Sequence, residues 1–113
     1  RAATTAQIET AAAVANAGDI AAGEGLDALL VGAADLSADL GVCGECDAER
    51  FHGAVEDVLA NSEVPVGTLA TSLRDVDRWA ELGYDYQIVG VDAGYVAAGA
   101  ETALARYDER REN

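Results

Sequence analysis

Short strand-like runs alternate with helical runs along the chain, and this alternation limits the fold more than any other feature. The strand-like runs span residues 3–9, 26–31, 64–69 and 86–91, and the helical runs span residues 10–22, 47–61, 72–82 and about 93–106. Strands that alternate with helices in this way form a parallel sheet. We therefore expect four β-α units, a loop through Gly41 and Gly44 that follows residues 32–37, and a solvated tail over residues 108–113.

A sheet of four parallel strands is incomplete by itself, because it leaves two unpaired edges and one face without helices. Closing an eight-stranded barrel takes about 250 residues, and this chain has 113. We predict an α/β fold in which residues 1–113 form half of one (β/α)8, or TIM, barrel domain. We expect the rest to come from a removed segment, from another chain, or from a second copy that closes a symmetric barrel.

The chain is strongly acidic, with 21 Asp and Glu, seven Arg, no Lys and a formal charge of −14. Such a surface repels phosphates, so nucleic acid is excluded as a partner. It is typical of adaptation to high salt, where screening weakens self-repulsion. Without a lysine the chain cannot supply Schiff-base chemistry. No apolar run approaches the roughly 20 residues that span a bilayer, and the first residues do not resemble a signal peptide, so we expect a cytoplasmic protein.

Two acidic residues, Glu9 and Asp35, fall near the ends of adjacent predicted strands. In α/β barrels the chemistry is located at the carboxyl ends of the strands. Neighbouring strands lie about 4.8 Å apart, so both carboxylates can reach one cation. Carboxylates, water and the two oxygens of a 2-keto acid suit Mg²⁺ or Mn²⁺. Such an ion stabilises the negative charge that develops when the methyl carbon of the keto acid becomes an enolate. From spacing alone, the alternative that both are solvated acids stays open, because an acidic chain places carboxylates at many strand ends.

Several segments together resemble one family. They are QIETA at residues 7–11 with AVAN at 13–16, LDALLVGAADLSADLG at 26–41, PVGTL at 65–69, ELGY at 81–84 and VGVDAG at 89–94. Their order and spacing resemble the HpcH/HpaI aldolases, which are metal-dependent, class II pyruvate aldolases. The resemblance covers nearly the whole chain and implies the C-terminal half of the barrel, strands five to eight.

The resemblance implies a divalent metal, Mg²⁺ or Mn²⁺, held by Glu9 and Asp35. It also implies that the carboxylate of pyruvate lies on the backbone amides around Gly32, Ala34 and Asp35, with Gln7 beside the keto acid. The implied reaction forms or cleaves 2-keto-3-deoxy acids from pyruvate and an aldehyde. No catalytic acid or base is identifiable in this half, because the family takes a histidine and a substrate-binding arginine from the first half.

The sequence departs from the family pattern at two places. Ala33 stands where proline is common, and a loop that often carries histidine, proline and glycine here contains Cys43 and Cys46. The second departure affects any loop contact with the aldehyde, whereas a single isolated Cys pair in a cytosolic protein is more often incidental. We interpret His52 as an ordinary helix residue and Trp79 as a core residue.

Two other functions stay open at this point. The second metal segment also resembles the citrate lyase β-chain and malyl-CoA lyase group, although residues 65–92 favour the aldolases. Alternatively, the chain is a truncated, non-catalytic half-barrel subunit. The resemblance further implies a homo-oligomer in which the last helix packs on a neighbouring subunit, unless a complementary half-barrel takes that place.

Overall fold

The computed structural model describes all residues from Arg1 to Asn113 and contains one parallel sheet. Its four strands, β1 to β4, lie side by side in chain order. The strands are β1 Thr5–Ile8, β2 Ala28–Val31, β3 Val66–Ala70 and β4 Tyr86–Val89. The helices are α1 Ala11–Ala15, α2 Ala17–Ala21, α3 Ala33–Asp39, α4 Glu49–Asn61, α5 Leu73–Leu82 and α6 Asp92–Glu112. The predicted alternation is therefore present, and β1 and β4 are both edge strands.

The two faces of the sheet differ in how much they are covered. On the face that the helices cover, alternate strand residues are buried, as in Ile8, Val31 and Thr68, which the strand register places side by side. Thr68 is satisfied there because its hydroxyl donates to the carbonyl oxygen of Val31 at 2.8 Å. The opposite face includes Gln7 on β1 and the half-exposed Ile88 on β4. This second face is the one that would point into a closed barrel.

Tyr86 on β4 covers part of the second face. Its hydroxyl donates to the carbonyl oxygen of Leu29 at 2.7 Å, two strands away. The ring crosses Gly67 on β3, where an added Cβ would lie only 2.4 Å from the ring carbons. Glycine at this position therefore makes room for the tyrosine.

An aromatic cluster holds α4 and α5 against the sheet. The ring of Trp79, which is 2% exposed, lies 5.9 Å from Phe51 and 5.8 Å from Tyr84, measured between centroids. The indole N–H donates to the carbonyl oxygen of Leu69 at 3.1 Å. The prediction that Trp79 belongs to the core agrees with this packing, which buries large apolar surface.

Two local predictions are wrong, and one short helix was not predicted. The helix expected over residues 10–22 is divided at Asn16, whose side-chain amide donates to the carbonyl oxygen of Ala12 at 2.8 Å. Such local bonds compete with a continuous helix. Helix α3, over Ala33–Asp39, was not predicted, and the expected loop through Gly41 and Gly44 follows it. The expected tail over residues 108–113 is instead the end of α6, which continues to Glu112 and has Arg110 and Arg111 in its last turn, where cations favour a helix.

Helix α6 extends away from the rest of the chain, and none of its residues is buried. Tyr95, Val96, Leu104 and Tyr107 on this helix are each more than half exposed. The molecule is accordingly elongated, measuring 62 × 37 × 21 Å. No helix combines the length and the apolar character needed to cross a membrane.

Candidate functional site

The junction between β2 and α3 brings the N-terminal part of the candidate site together. Gly32 follows β2 directly, and its N–H donates to the carbonyl oxygen of Ile8 at the end of β1, at 3.0 Å. An added Cβ on Gly32 would lie 2.7 Å from Nε2 of Gln7 and 3.4 Å from Oε2 of Glu9. Its φ of −84° is open to any residue, so the close approach of the Gln7 and Glu9 side chains, not backbone torsion, limits the space at this position. The predicted site residues Gln7 and Glu9 therefore meet at Gly32, which is also a predicted site residue.

Helix α3 begins at this junction, with Gly32 as its N-cap and Asp35 in its first turn. The first N–H groups of a helix have no partner within it. Because Gly32 has no side chain, no side-chain cap bonds them. The amides around Ala34 are therefore available to an anionic oxygen. The sequence analysis predicted Asp35 at the end of a strand. In the structure Asp35 lies beyond the end of β2, in the first turn of α3.

A cavity of about 400 Å³ opens beside this turn. Its walls include all four residues predicted to bind substrate, namely Gln7, Gly32, Ala34 and Asp35. Glu9, the other predicted metal ligand, does not line this cavity, but its carboxylate reaches the edge of it at Gly32. The structure therefore gathers the predicted residues within one region at the carboxyl ends of β1 and β2.

The opposite wall of the cavity contains a charged pair that the sequence reasoning missed. Arg78 donates to Asp75 at 2.7 Å, and its guanidinium lies 4.6 Å from the centroid of the Trp79 ring. Asp75 also accepts from the N–H and hydroxyl of Thr71, at 3.0 and 2.9 Å. Burial raises the pKa of Asp75, but the bonds from Thr71 and Arg78 outweigh burial and hold that pKa below its usual value.

One sequence signal could have indicated this pair. Ser72 caps α5 by accepting from the N–H of Asp75 at 3.1 Å. A hydroxyl residue followed three positions later by an acid is a helix-start pattern, and Arg78 follows three positions after the acid. The pattern predicts a charged pair on the first turns of α5. It does not indicate that this surface faces the cavity.

The two cysteines occupy different environments. Cys46 is buried and lines the cavity, whereas Cys43 is exposed, and both thiols are free. Burial raises the pKa of the Cys46 thiol, which keeps it protonated and unreactive near neutral pH. His52 lies on α4 with its ring 6.4 Å from that of Phe51 and does not line the cavity. Its position agrees with the prediction of an ordinary helix residue.

The chain has no group of three or more His, Cys, Asp or Glu side chains arranged to hold a metal ion. The acidic side chains nearest to this region are that of Glu9, whose Oε2 would lie 3.4 Å from a Cβ on Gly32, and that of Asp35, which lines the cavity from the first turn of α3. Two carboxylates with water and substrate oxygens completing the shell suit a hard ion such as Mg²⁺. The residues present therefore fit a cation that is bound jointly with the substrate.

Comparison with known proteins identifies the family. A model described as HpcH/HpaI aldolase/citrate lyase matches residues 2–98. The chain belongs to this family. The 4-hydroxy-2-oxo-heptane-1,7-dioate aldolase of Salmonella paratyphi B is 36% identical over 105 residues, which make up 89% of this chain and 40% of that aldolase. The chain thus spans about 40% of the length of the curated relatives that it matches.

Solved structures give the same result for the fold of this HpcH/HpaI family chain. A family member from Burkholderia cenocepacia J2315 has a TM-score of 0.83 at 32% identity, covering 94% of this chain and 42% of that structure. The HpcH/HpaI aldolase of Desulfitobacterium hafniense DCB-2 has a TM-score of 0.78 at 25% identity, with 93% and 42% covered. The predicted family and the half-barrel fold are both confirmed.

Proposed function

We propose that this chain supplies the metal- and pyruvate-binding part of an aldolase that forms or cleaves 2-keto-3-deoxy acids. Residues 1–113 would form half of one barrel domain, and the enzyme would be active when the barrel is complete. The observation that carries this proposal is the meeting of Gln7, Glu9 and the start of α3 at Gly32, where an added Cβ would lie 2.7 Å from Nε2 of Gln7 and 3.4 Å from Oε2 of Glu9.

The residues have distinct tasks in this proposal. Glu9 and Asp35 would hold Mg²⁺ or Mn²⁺, which as a Lewis acid stabilises the developing enolate charge on the keto oxygen of pyruvate. The uncapped amides around Gly32, Ala34 and Asp35 would receive the carboxylate of pyruvate. Gln7 would lie beside the keto acid, since its amide reaches the same junction. Together these groups would fix the methyl carbon in one orientation.

The test is exchange of the methyl protons of pyruvate into deuterated, high-salt buffer, followed by proton NMR. This measurement reports enolisation without requiring the aldehyde to be known. In the complete protein we expect exchange that a chelator abolishes and that Asp35→Asn slows by about 100-fold or more, because a cation with one carboxylate binds far less tightly.

Cys43→Ser is the matched control, because Cys43 is exposed and does not line the cavity. This variant should retain nearly the full exchange rate. Chelator-resistant exchange, or normal exchange by the Asp35 variant, would contradict the site assignment. The same assay on the 113-residue chain alone asks whether this half suffices, and no exchange there would indicate a fragment or a non-catalytic subunit.

A second candidate is a lyase related to the citrate lyase β-chain or malyl-CoA lyase, because the matching family model covers citrate lyases as well. A malyl-CoA lyase, as its name states, acts on a CoA thioester. Cleavage of an acyl-CoA by the complete protein, with no action on 2-keto-3-deoxy acids, would favour this candidate over the aldolase.

The surroundings of the site support two further parts of the proposal. The open face and edges of the sheet, together with the exposed apolar residues of α6, would be covered by further copies or by a complementary half-barrel. We also propose that the protein works in the cytoplasm and in high salt, and the formal charge of −14 supports the high-salt part.

A further inference from the structure

A single hydrogen bond joins the end of α3 to the start of α1. The N–H of Ala11 donates to Oδ2 of Asp39 at 2.6 Å. Ala11 is the first residue of α1, and Asp39 is the last residue of α3. The same turn of α1 is also capped locally, because Thr10 Oγ1 accepts from the N–H of Ala13 at 3.0 Å. Thr10 therefore stabilises α1 alone, whereas Asp39 ties it to another helix.

This bond closes a short structural loop around the two proposed metal ligands. Ala11 is two residues after Glu9, and Asp39 is four residues after Asp35. Residues four apart lie one above the other on the same side of a helix. At its other end α3 is held by the bond from Gly32 N–H to Ile8, beside Glu9. Helix α3 is thus tied at both ends to the chain on either side of Glu9.

We propose that Asp39 is a positioning residue that fixes the separation of the carboxylates of Glu9 and Asp35. It does so by holding the corner between β1 and α1 against α3, without itself touching the cation. This inference rests on the proposed function. Helix α3 connects the two residues, because it has Asp35 in its first turn and Asp39 as its last residue.

Removal of this tie should weaken metal binding rather than unfold the protein. Mg²⁺ and Mn²⁺ accept little distortion of their coordination geometry, and loss of groups that orient ligands typically costs about 10-fold or more in metal affinity. A simple charge effect is the competing explanation, since any acid near the ion attracts it. Three variants distinguish a positioning effect from a charge effect: Asp39→Ala, Asp39→Asn and Ala11→Pro.

Ala11→Pro removes the N–H donor and leaves every charge in place. Proline is well tolerated at the first position of a helix, and the preceding Thr10, with φ −135° and ψ 156°, already has the extended conformation that proline requires before it. Asp39→Asn removes the charge but keeps an oxygen that can accept the bond. Asp39→Ala removes both the charge and the oxygen that accepts the bond.

The experiment titrates Mn²⁺ into the complete protein and follows the free ion by electron paramagnetic resonance. We expect Asp39→Ala and Ala11→Pro each to weaken Mn²⁺ binding by about 10-fold and Asp39→Asn to weaken it by less than about 3-fold. Thr10→Ala, which removes only the local cap, should lower the melting temperature but leave the affinity within about 3-fold of wild type.

Several outcomes would overturn the inference. If Asp39→Ala and Asp39→Asn lose the same amount of Mn²⁺ affinity and Ala11→Pro loses none, the cause is a charge effect. If Thr10→Ala loses as much Mn²⁺ affinity as Asp39→Ala, the cause is general destabilisation. The proposed function fails separately, if wild type and Asp35→Asn bind Mn²⁺ equally or not at all. If Asp39→Ala does not fold, the result for Ala11→Pro decides between positioning and charge.

Discussion

Asp75 shows how one residue can be held in its charged form at the edge of the cavity. It is 9% exposed and accepts hydrogen bonds from two groups of Thr71 and from Arg78. Arg78 in turn lies over the indole ring of Trp79, which keeps the guanidinium in place. The pair therefore joins the wall of the cavity to the aromatic core.

The lowered pKa of Asp75 predicts how its contribution to stability depends on pH. Because the folded protein favours the charged form, the contribution is complete above the unfolded pKa of about 3.9 and is lost as the pH falls through the lower folded value. We expect Asp75→Asn to reduce the free energy of unfolding at pH 7 by about 1 to 3 kcal/mol. Urea denaturation should show this difference shrinking below about pH 4.

Asp77→Asn provides the control on the same helix, since Asp77 is exposed and its side chain has no hydrogen bond within the chain. Its effect should be small at every pH. A difference between wild type and Asp75→Asn that is as large at pH 3 as at pH 7 would show that the bonds of Asp75 do not depend on its charge.

The sequence could predict the site residues that lie near the ends of strands. Glu9 and Gly32 follow strands directly, so a strand pattern and a family motif together locate them. Arg78 could not be located in this way, because its place in the cavity depends on which side of α5 faces β3. That orientation is set by the burial of Trp79, which is a tertiary effect.

At the scale of elements, the contact between β3 and β4 depends on the absence of a side chain. Gly67→Ala would place a Cβ 2.4 Å from the ring of Tyr86, so the ring must move and its bond to Leu29 must break. We expect a loss of about 1 to 3 kcal/mol in the free energy of unfolding, measured by chemical denaturation.

A double-mutant cycle tests the cause of this loss. In a Tyr86→Ala background the added methyl group has no ring to meet, so Gly67→Ala should cost little. Gly53→Ala is the control in α4, where an added Cβ meets nothing within 4 Å, and it should stabilise the helix by about 1 kcal/mol. An unchanged cost in the Tyr86→Ala background would mean that backbone strain, not the ring, is responsible.

Strands β2 and β3 and helices α4 and α5 were predictable because burial sets the spacing of their apolar residues. Boundaries and short elements were not. The division of the first helical segment at Asn16 depends on a side-chain hydrogen bond that asparagine does not always form. Helix α3 has seven residues and lies in a segment with few apolar residues at helical spacing. The end of α6 has the composition of a tail, but pairs such as Arg106 with Glu109, at 3.5 Å, favour a helix there.

The shape of the whole molecule is not that of a finished domain. Its radius of gyration is 17.5 Å, whereas a compact chain of this length would have about 13 Å. The excess comes from α6, which lies outside the core, and from a sheet with one open face. Both features leave apolar surface that association would cover.

We expect the chain alone to self-associate in about 2 M KCl, where screening acts within a few ångströms, and to dissociate in low salt as the charge of −14 repels its copies. Sedimentation equilibrium measures the mass against 11.6 kDa for one chain. Ile88→Glu, on the open face, should reduce association. Ala60→Glu adds the same charge on α4 and should not.

A monomer at every salt concentration would contradict this expectation. Equal effects of the two glutamate variants would instead mean that total charge controls association and that the open face of the sheet takes no part in it.

The order of the strands has a consequence for how the chain acquires its structure. Each strand pairs only with its neighbours in the sequence, from β1 to β4. Contacts between units that follow one another form faster than contacts between distant segments. A chain emerging from the ribosome at about 5 to 20 residues per second can therefore add each β-α unit to the one just made. Such stepwise growth leaves the newest edge strand unpaired until the next β-α unit has been made.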